Sequence, residues 1–91
     1  MSVRAGTLGL GPDLAVGLVD VSEDGICVRV KAPLPVRSEA ELLFEKPGSG
    51  RPLRLVADVR WCVTDPDGAC RVGLQFRHRL LFKQFMDYMR N

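Results

Sequence analysis

Between Cys70 and Arg77 the side chains alternate, with Cys70, Val72, Leu74 and Phe76 on one parity and Arg71, Gly73, Gln75 and Arg77 on the other. A strand with one face in a core and the other in water has this period of two; a helix does not. The pattern recurs in Ile26, Val28 and Val30, in Ala40, Leu42 and Phe44, and in Leu53, Leu55, Ala57, Val59, Trp61 and Val63. Only Val56 breaks the polar side of the last run. Such a chain is expected to be mainly β, an antiparallel sheet rolled around one apolar face. Its 91 residues form a single domain, 1–91, with little room for an enclosed active site.

Turn signals set the register. Asp20-x-Ser22-x-x-Gly25 joins the runs Leu14–Val21 and Ile26–Val30. Gly25 is expected to supply a positive φ. Val19 and Val21 share one face, and if Val21 opposes Ile26, then Asp20 and Cys27 oppose each other on the outer face, with Leu18 and Arg29 beside them. Pairing Phe44 with Leu53 leaves Pro47–Gly50 at a loop. Pairing Trp61 with Val72 leaves Asp65-Pro66-Asp67-Gly68 as a type I turn followed by a positive-φ glycine. That register puts Trp61 and Cys70 in the core and Cys62 outside, opposite Arg71. Cys62 and Cys70 then face apart and form no disulfide.

Pro33 and Pro35 exclude a continuous strand between Lys31 and Ser38. A corner there favours a Greek-key-like barrel over a meander. Residues 1–13, with Gly6, Gly9, Gly11 and Pro12, are loosely patterned, and their glycine order does not match a phosphate-binding loop. Barrel strands are expected over 14–77. Beyond Phe76 the period changes. Leu81, Phe82, Phe85, Met86 and Met89 fit one side of a helix, and Lys83, Asp87 and Arg90 the other. An amphipathic C-terminal helix over 78–91 is expected to seat on the barrel mouth.

Composition narrows the function. A net charge of +2 is too small for a nucleic-acid polymer unless segregated on one face. Most aromatics fall on the inner parity or the helix stripe, so no base-stacking platform is expected. No apolar run is long enough to span a membrane, and Met1-Ser2-Val3-Arg4 is not the start of a secretion signal. Three cysteines without a C-x-x-C pair read as reduced thiols of a cytoplasmic protein. Cys27, Cys62, Cys70 and His78 match no zinc-ligand spacing. Ser22 lacks a nucleophile elbow, and the only histidine, His78, lies at the far end of the strands. No catalysis, metal or resident cofactor is expected. Closing a turn does not require both Asp20 and Ser22, so the hairpin points to a ligand.

The D-x-S-x-x-G hairpin, the strand containing Val59-Arg60-Trp61, the strand Arg71-Val72-Gly73-Leu74-Gln75-Phe76 and a terminal amphipathic segment occur in an order that resembles the PilZ family of bacterial cyclic di-GMP receptors. The resemblance covers about residues 14–91. It implies a small antiparallel β-barrel with a C-terminal helix and a dinucleotide held outside the barrel. It also implies that Asp20, Ser22 and Gly25 meet guanine edges and the ligand's backbone. Members that bind the dinucleotide usually carry R-x-x-x-R ahead of the first strand, gripping phosphates and stacking on guanine. Here only Arg4 precedes Asp20. Two lost charge-assisted contacts remove about 1.5–3 kcal/mol each unless Arg29, Arg54, Arg60, Arg71 or Arg77, all on outer parity, substitute. The resemblance thus implies a cyclic di-GMP-responsive adaptor domain regulating a partner protein. The alternative is a degenerate member, without the ligand, that serves protein interaction or oligomerisation.

Overall fold

The computed structural model describes residues 1–6, 10–45 and 52–77. Six strands run through them: β1 (Ser2–Ala5), β2 (Ala15–Val21), β3 (Gly25–Val30), β4 (Glu39–Phe44), β5 (Leu53–Thr64) and β6 (Cys70–Phe76). They form one antiparallel sheet in the order β1-β4-β5-β6-β3-β2, curled into a half-barrel. The helix expected over 78–91 and the loop at Pro47–Gly50 lie outside the described residues.

Alternation sets the core as expected on β3, β4 and β6. Ile26, Val28, Val30, Ala40, Leu42, Phe44, Cys70, Val72, Leu74 and Phe76 are all buried. The registers Val21↔Ile26, Asp20↔Cys27 and Phe44↔Leu53 are those the turns require. Part of the loosely patterned N-terminal segment is a strand, β1, whose Val3 is fully buried. The connection over 31–38 carries the chain from β3, beside β6, to β4 on the far side of β5. Leu34 anchors that crossing in the core, and Arg37 takes φ 73 so that its N–H can reach the Val59 carbonyl at 2.7 Å.

The outermost strands β1 and β2 approach each other at one end, where Leu14 N–H donates to the Val3 carbonyl at 2.8 Å. Asp13 staples the junction: its Oδ1 accepts from Val3 N–H at 3.0 Å and from Ala15 N–H at 2.9 Å. Burial alone pushes the Asp13 carboxyl up. The two backbone donors, with the nearby Arg4 and Lys31 charges, outweigh it and hold the group below its ordinary value of 3.8. A depressed folded value means that the carboxylate's contribution is complete above the unfolded value and is lost as pH falls through the folded one. Asp13→Ala is expected to cost about 1–2 kcal/mol at neutral pH, as for an exposed capping carboxylate. Urea titrations at pH 7 and pH 3 should show the gap between wild type and variant narrowing in acid.

Three sequence expectations are corrected. Arg60 is an extra residue between the pairs Val59↔Leu74 and Trp61↔Gly73, so the register beyond it is Cys62↔Val72, Val63↔Arg71 and Thr64↔Cys70. A bulge of one residue exchanges the faces of everything after it. Trp61 and Val63 are therefore outside, 42% and 47% exposed, and Cys62 packs against the core. Cys62 and Cys70 share the inner face rather than opposing faces, and both remain free thiols. Similarly, register shifts in β2 leave Val16, Leu18 and Val19 all exposed and put Leu18 opposite Val28. Finally, Gly25 does not have a positive φ; among the described glycines only Gly6 and Gly68 do. A β-carbon at position 25 would lie 2.3 Å from the Leu74 carbonyl oxygen, so close strand approach is what requires glycine.

Candidate functional site

The hairpin between β2 and β3 closes through Ser22 N–H donating to the Gly25 carbonyl at 2.8 Å, with the Ser22 hydroxyl directed at the same oxygen at 3.4 Å. Asp20 is exposed, and its Oδ1 accepts from Val21 N–H at 2.9 Å. One carboxylate oxygen is thereby used locally, and Oδ2 makes no hydrogen bond or ion pair among the described residues. Asp20, Ser22 and Gly25 all line one open cleft of about 330 Å³ on the outer face.

The floor of that cleft is a register row crossing four strands. Asp20 opposes Cys27, Cys27 opposes Gly73, and Gly73 opposes Trp61. Gly73 leaves room for the indole: a β-carbon there would lie 2.1 Å from Trp61 Nε1, so the ring occupies the volume above the glycine. The half-exposed Trp61 forms one wall of the cleft, with Arg60 beside it. Sequence reasoning missed Trp61 because its parity matches the buried Val59. The available signal was a glycine at position 73 in an otherwise well-filled strand, a gap that a neighbouring aromatic commonly covers.

The arginines divide sharply. Asp65, in the turn after β5, holds Arg71 Nε at 2.9 Å and Arg29 Nε at 3.6 Å. Arg29 also pairs with Asp67, and this hydrogen bond is the main cause of the raised Arg29 and lowered Asp67 values. Like charges directly opposed, as Arg29 and Arg71 are, repel, and a shared carboxylate offsets this. Arg54 pairs with the buried Glu41 at 2.7 Å, and Arg77 bridges Glu39 at 2.8 Å and Asp58 at 3.1 Å. Among the described residues Arg60 makes no ion pair, and it is the one of these arginines that lines the cleft. Arg4 does not line the cleft.

These groups suit binding rather than bond-making. Burial pushes the Cys27 thiol up, beyond what the Arg71 charge pulls down, so the thiolate is scarce. No group of three metal-ligating side chains occurs among the described residues. What the cleft offers is two carboxylates, Asp20 and Asp24, an aromatic ring and a guanidinium, all outside the barrel.

Against known families, the PilZ domain model matches residues 1–86. The chain belongs to the PilZ domain family. No curated protein and no solved structure matches it. PilZ domains are binding and adaptor domains rather than enzymes. The sequence reads D-x-S-x-x-G at Asp20, Ser22 and Gly25, these 91 residues contain no R-x-x-x-R, and no helix among the described residues is long and apolar enough to cross a membrane.

Proposed function

We propose that this domain binds cyclic di-GMP in the outer cleft and that occupancy changes the activity of a partner protein. The observation that carries the reading is the open Asp20 carboxylate oxygen in the same cleft as Arg60, a guanidinium without an ion pair among the described residues. Asp20 accepts from the donor edge of a guanine, Ser22 and the Gly25 backbone border the ligand, and Arg60 supplies the positive charge for a phosphate. One arginine in place of two gives up about 1.5–3 kcal/mol. Affinity is therefore expected about 10- to 100-fold below that of a site with both.

Calorimetric titration at low salt tests this. Saturable binding that weakens at least about 10-fold in Asp20→Ala, the loss of a charge-assisted hydrogen bond, is the expected result. Absence of heat at millimolar dinucleotide, or an unchanged affinity in the variant, rejects it.

A second reading, an interaction or oligomerisation domain without the dinucleotide, draws on one observation: Arg29, Arg54, Arg71 and Arg77 are all held by carboxylates. It predicts no thermal shift with cyclic di-GMP and self-association in sedimentation. With Trp61 outside, buried aromatics no longer argue against a nucleic-acid polymer; those four neutralised arginines do.

A further inference from the structure

We propose that two copies of this chain associate through the free edge of β5, residues 60–64 of one against residues 60–64 of the other, about a two-fold axis. The proposal goes beyond dinucleotide binding and does not depend on it. β5 has 12 residues, and β4 covers only its first half, ending at the pair Glu39↔Asp58. The crossing segment adds one step: Arg37 N–H donates to the Val59 carbonyl at 2.7 Å, and Val59 N–H to the Ser38 carbonyl at 2.8 Å. It then leaves the edge, because Ser38 N–H closes a turn onto the Pro35 carbonyl at 3.1 Å and Arg37 takes φ 73. Beyond Val59, β5 is paired on its β6 side and, among the described residues, on no other. A strand edge of this kind is a template for a further strand. Lysine and proline commonly guard such edges, and residues 60–64 contain neither; the one irregularity, the Arg60 bulge, lies at their end. Trp61 and Val63 stand outside there, 42% and 47% exposed.

The edge is complementary to itself in one register. Opposed residues of an antiparallel pair share a face, so the axis must pass through a residue and not between two. An axis at Trp61 would need Val59, which the crossing segment already holds. An axis at Val63 would set Trp61 against Asp65, a carboxylate engaged with Arg71 and Arg29. An axis at Cys62 uses residues 60–64 alone. Trp61 then opposes Val63 of the second copy, twice, as an aromatic–β-branched pair. Cys62 opposes itself, and Arg60 faces Thr64. The two Arg60 residues stand four positions apart along the ladder, about 13 Å, which is beyond the screening length of about 8 Å at physiological salt. The charge next to Thr64 is Asp65, opposite in sign to Arg60, which has no ion pair among the described residues. A five-residue ladder with two such side-chain pairs buries less than the about 1,200 Å² of a standard interface, so the dimer is weak and concentration-dependent.

Sedimentation equilibrium of the whole chain, with no dinucleotide present, tests this. The average mass is expected to climb from the monomer towards twice that value between about 10 µM and about 1 mM, the range of a weak contact. Val63→Lys puts a charge against Trp61 on both sides of the axis and should weaken association at least about 10-fold. Val16→Lys, on the exposed side of β2, should associate as wild type does. In Cys27→Ala, diamide takes up the two protons and two electrons of a thiol pair and should join Cys62 to Cys62, because directly opposed Cα atoms are about 4.5–5.5 Å apart, within disulfide reach. Cys27→Ala combined with Cys62→Ala should give no such dimer. A monomer at about 1 mM, Val63→Lys associating as wild type does, or a disulfide dimer that forms without Cys62 overturns the proposal. None of these outcomes bears on whether cyclic di-GMP binds.

Discussion

Gly25→Ala is expected to destabilise the domain by about 2–3 kcal/mol, the cost of forcing atoms into a packed backbone contact. The new β-carbon would lie 2.3 Å from the Leu74 carbonyl oxygen, and a main-chain oxygen cannot swing aside as a side chain can. Gly25 pairs with Gln75 at the end of β3, so relief requires parting β3 from β6 at the hairpin that carries Asp20 and Ser22. The reason for the glycine can be separated from the usual one. Asparagine tolerates positive φ, so at Gly68, where φ is 91 and the space is open, Gly68→Asn should cost little. At Gly25 asparagine should be at least as harmful as alanine. Urea denaturation of the three variants checks this; a harmless Gly25→Asn would contradict the close-approach explanation.

Leu42→Ala is expected to cost about 3–5 kcal/mol, the upper part of the range for a fully buried leucine. Leu42 is 0% exposed and opposes Leu55, which is 1% exposed, so the cavity would open between two central strands of the sheet. Domains of this size have total stabilities of about 5–15 kcal/mol, so a large share is at stake. Leu43→Ala, one residue along on the half-buried face, is the control and should cost clearly less. Equal losses at both positions by thermal or urea melting would mean that β4 does not bury the face assigned to it.

Much of this architecture was legible from parity alone. On β3, β4 and β6 every second residue is apolar and, Leu43 apart, its neighbours are polar or small, and two well-marked turns leave little choice of register. The exterior position of Asp20 follows from its pairing with Cys27 and needs no knowledge of any family. What parity could not show was a change of parity. Val59, Trp61 and Val63 read as one apolar face, yet the Arg60 bulge divides them, and the cost of exposing an indole is offset by the cover it gives Gly73. The bulges of β2 have the same effect on Val16 and Val19. Composition counted five outer-face arginines but not their partners. Asp65 and Asp67 serve as a turn in the sequence and also as counter-ions in the fold, where they meet Arg29 and Arg71.

The most direct measurement is an amide correlation spectrum titrated with cyclic di-GMP. Binding in the cleft predicts that the largest shifts fall on residues 20–27, on Arg60 and Trp61 and on residues 73–75, with the Trp61 indole N–H among them. The β1–β4 side of the sheet should be nearly silent. A spectrum that does not move, or shifts gathered around the Arg29–Asp65–Arg71 cluster instead, would contradict a dinucleotide site built on Asp20.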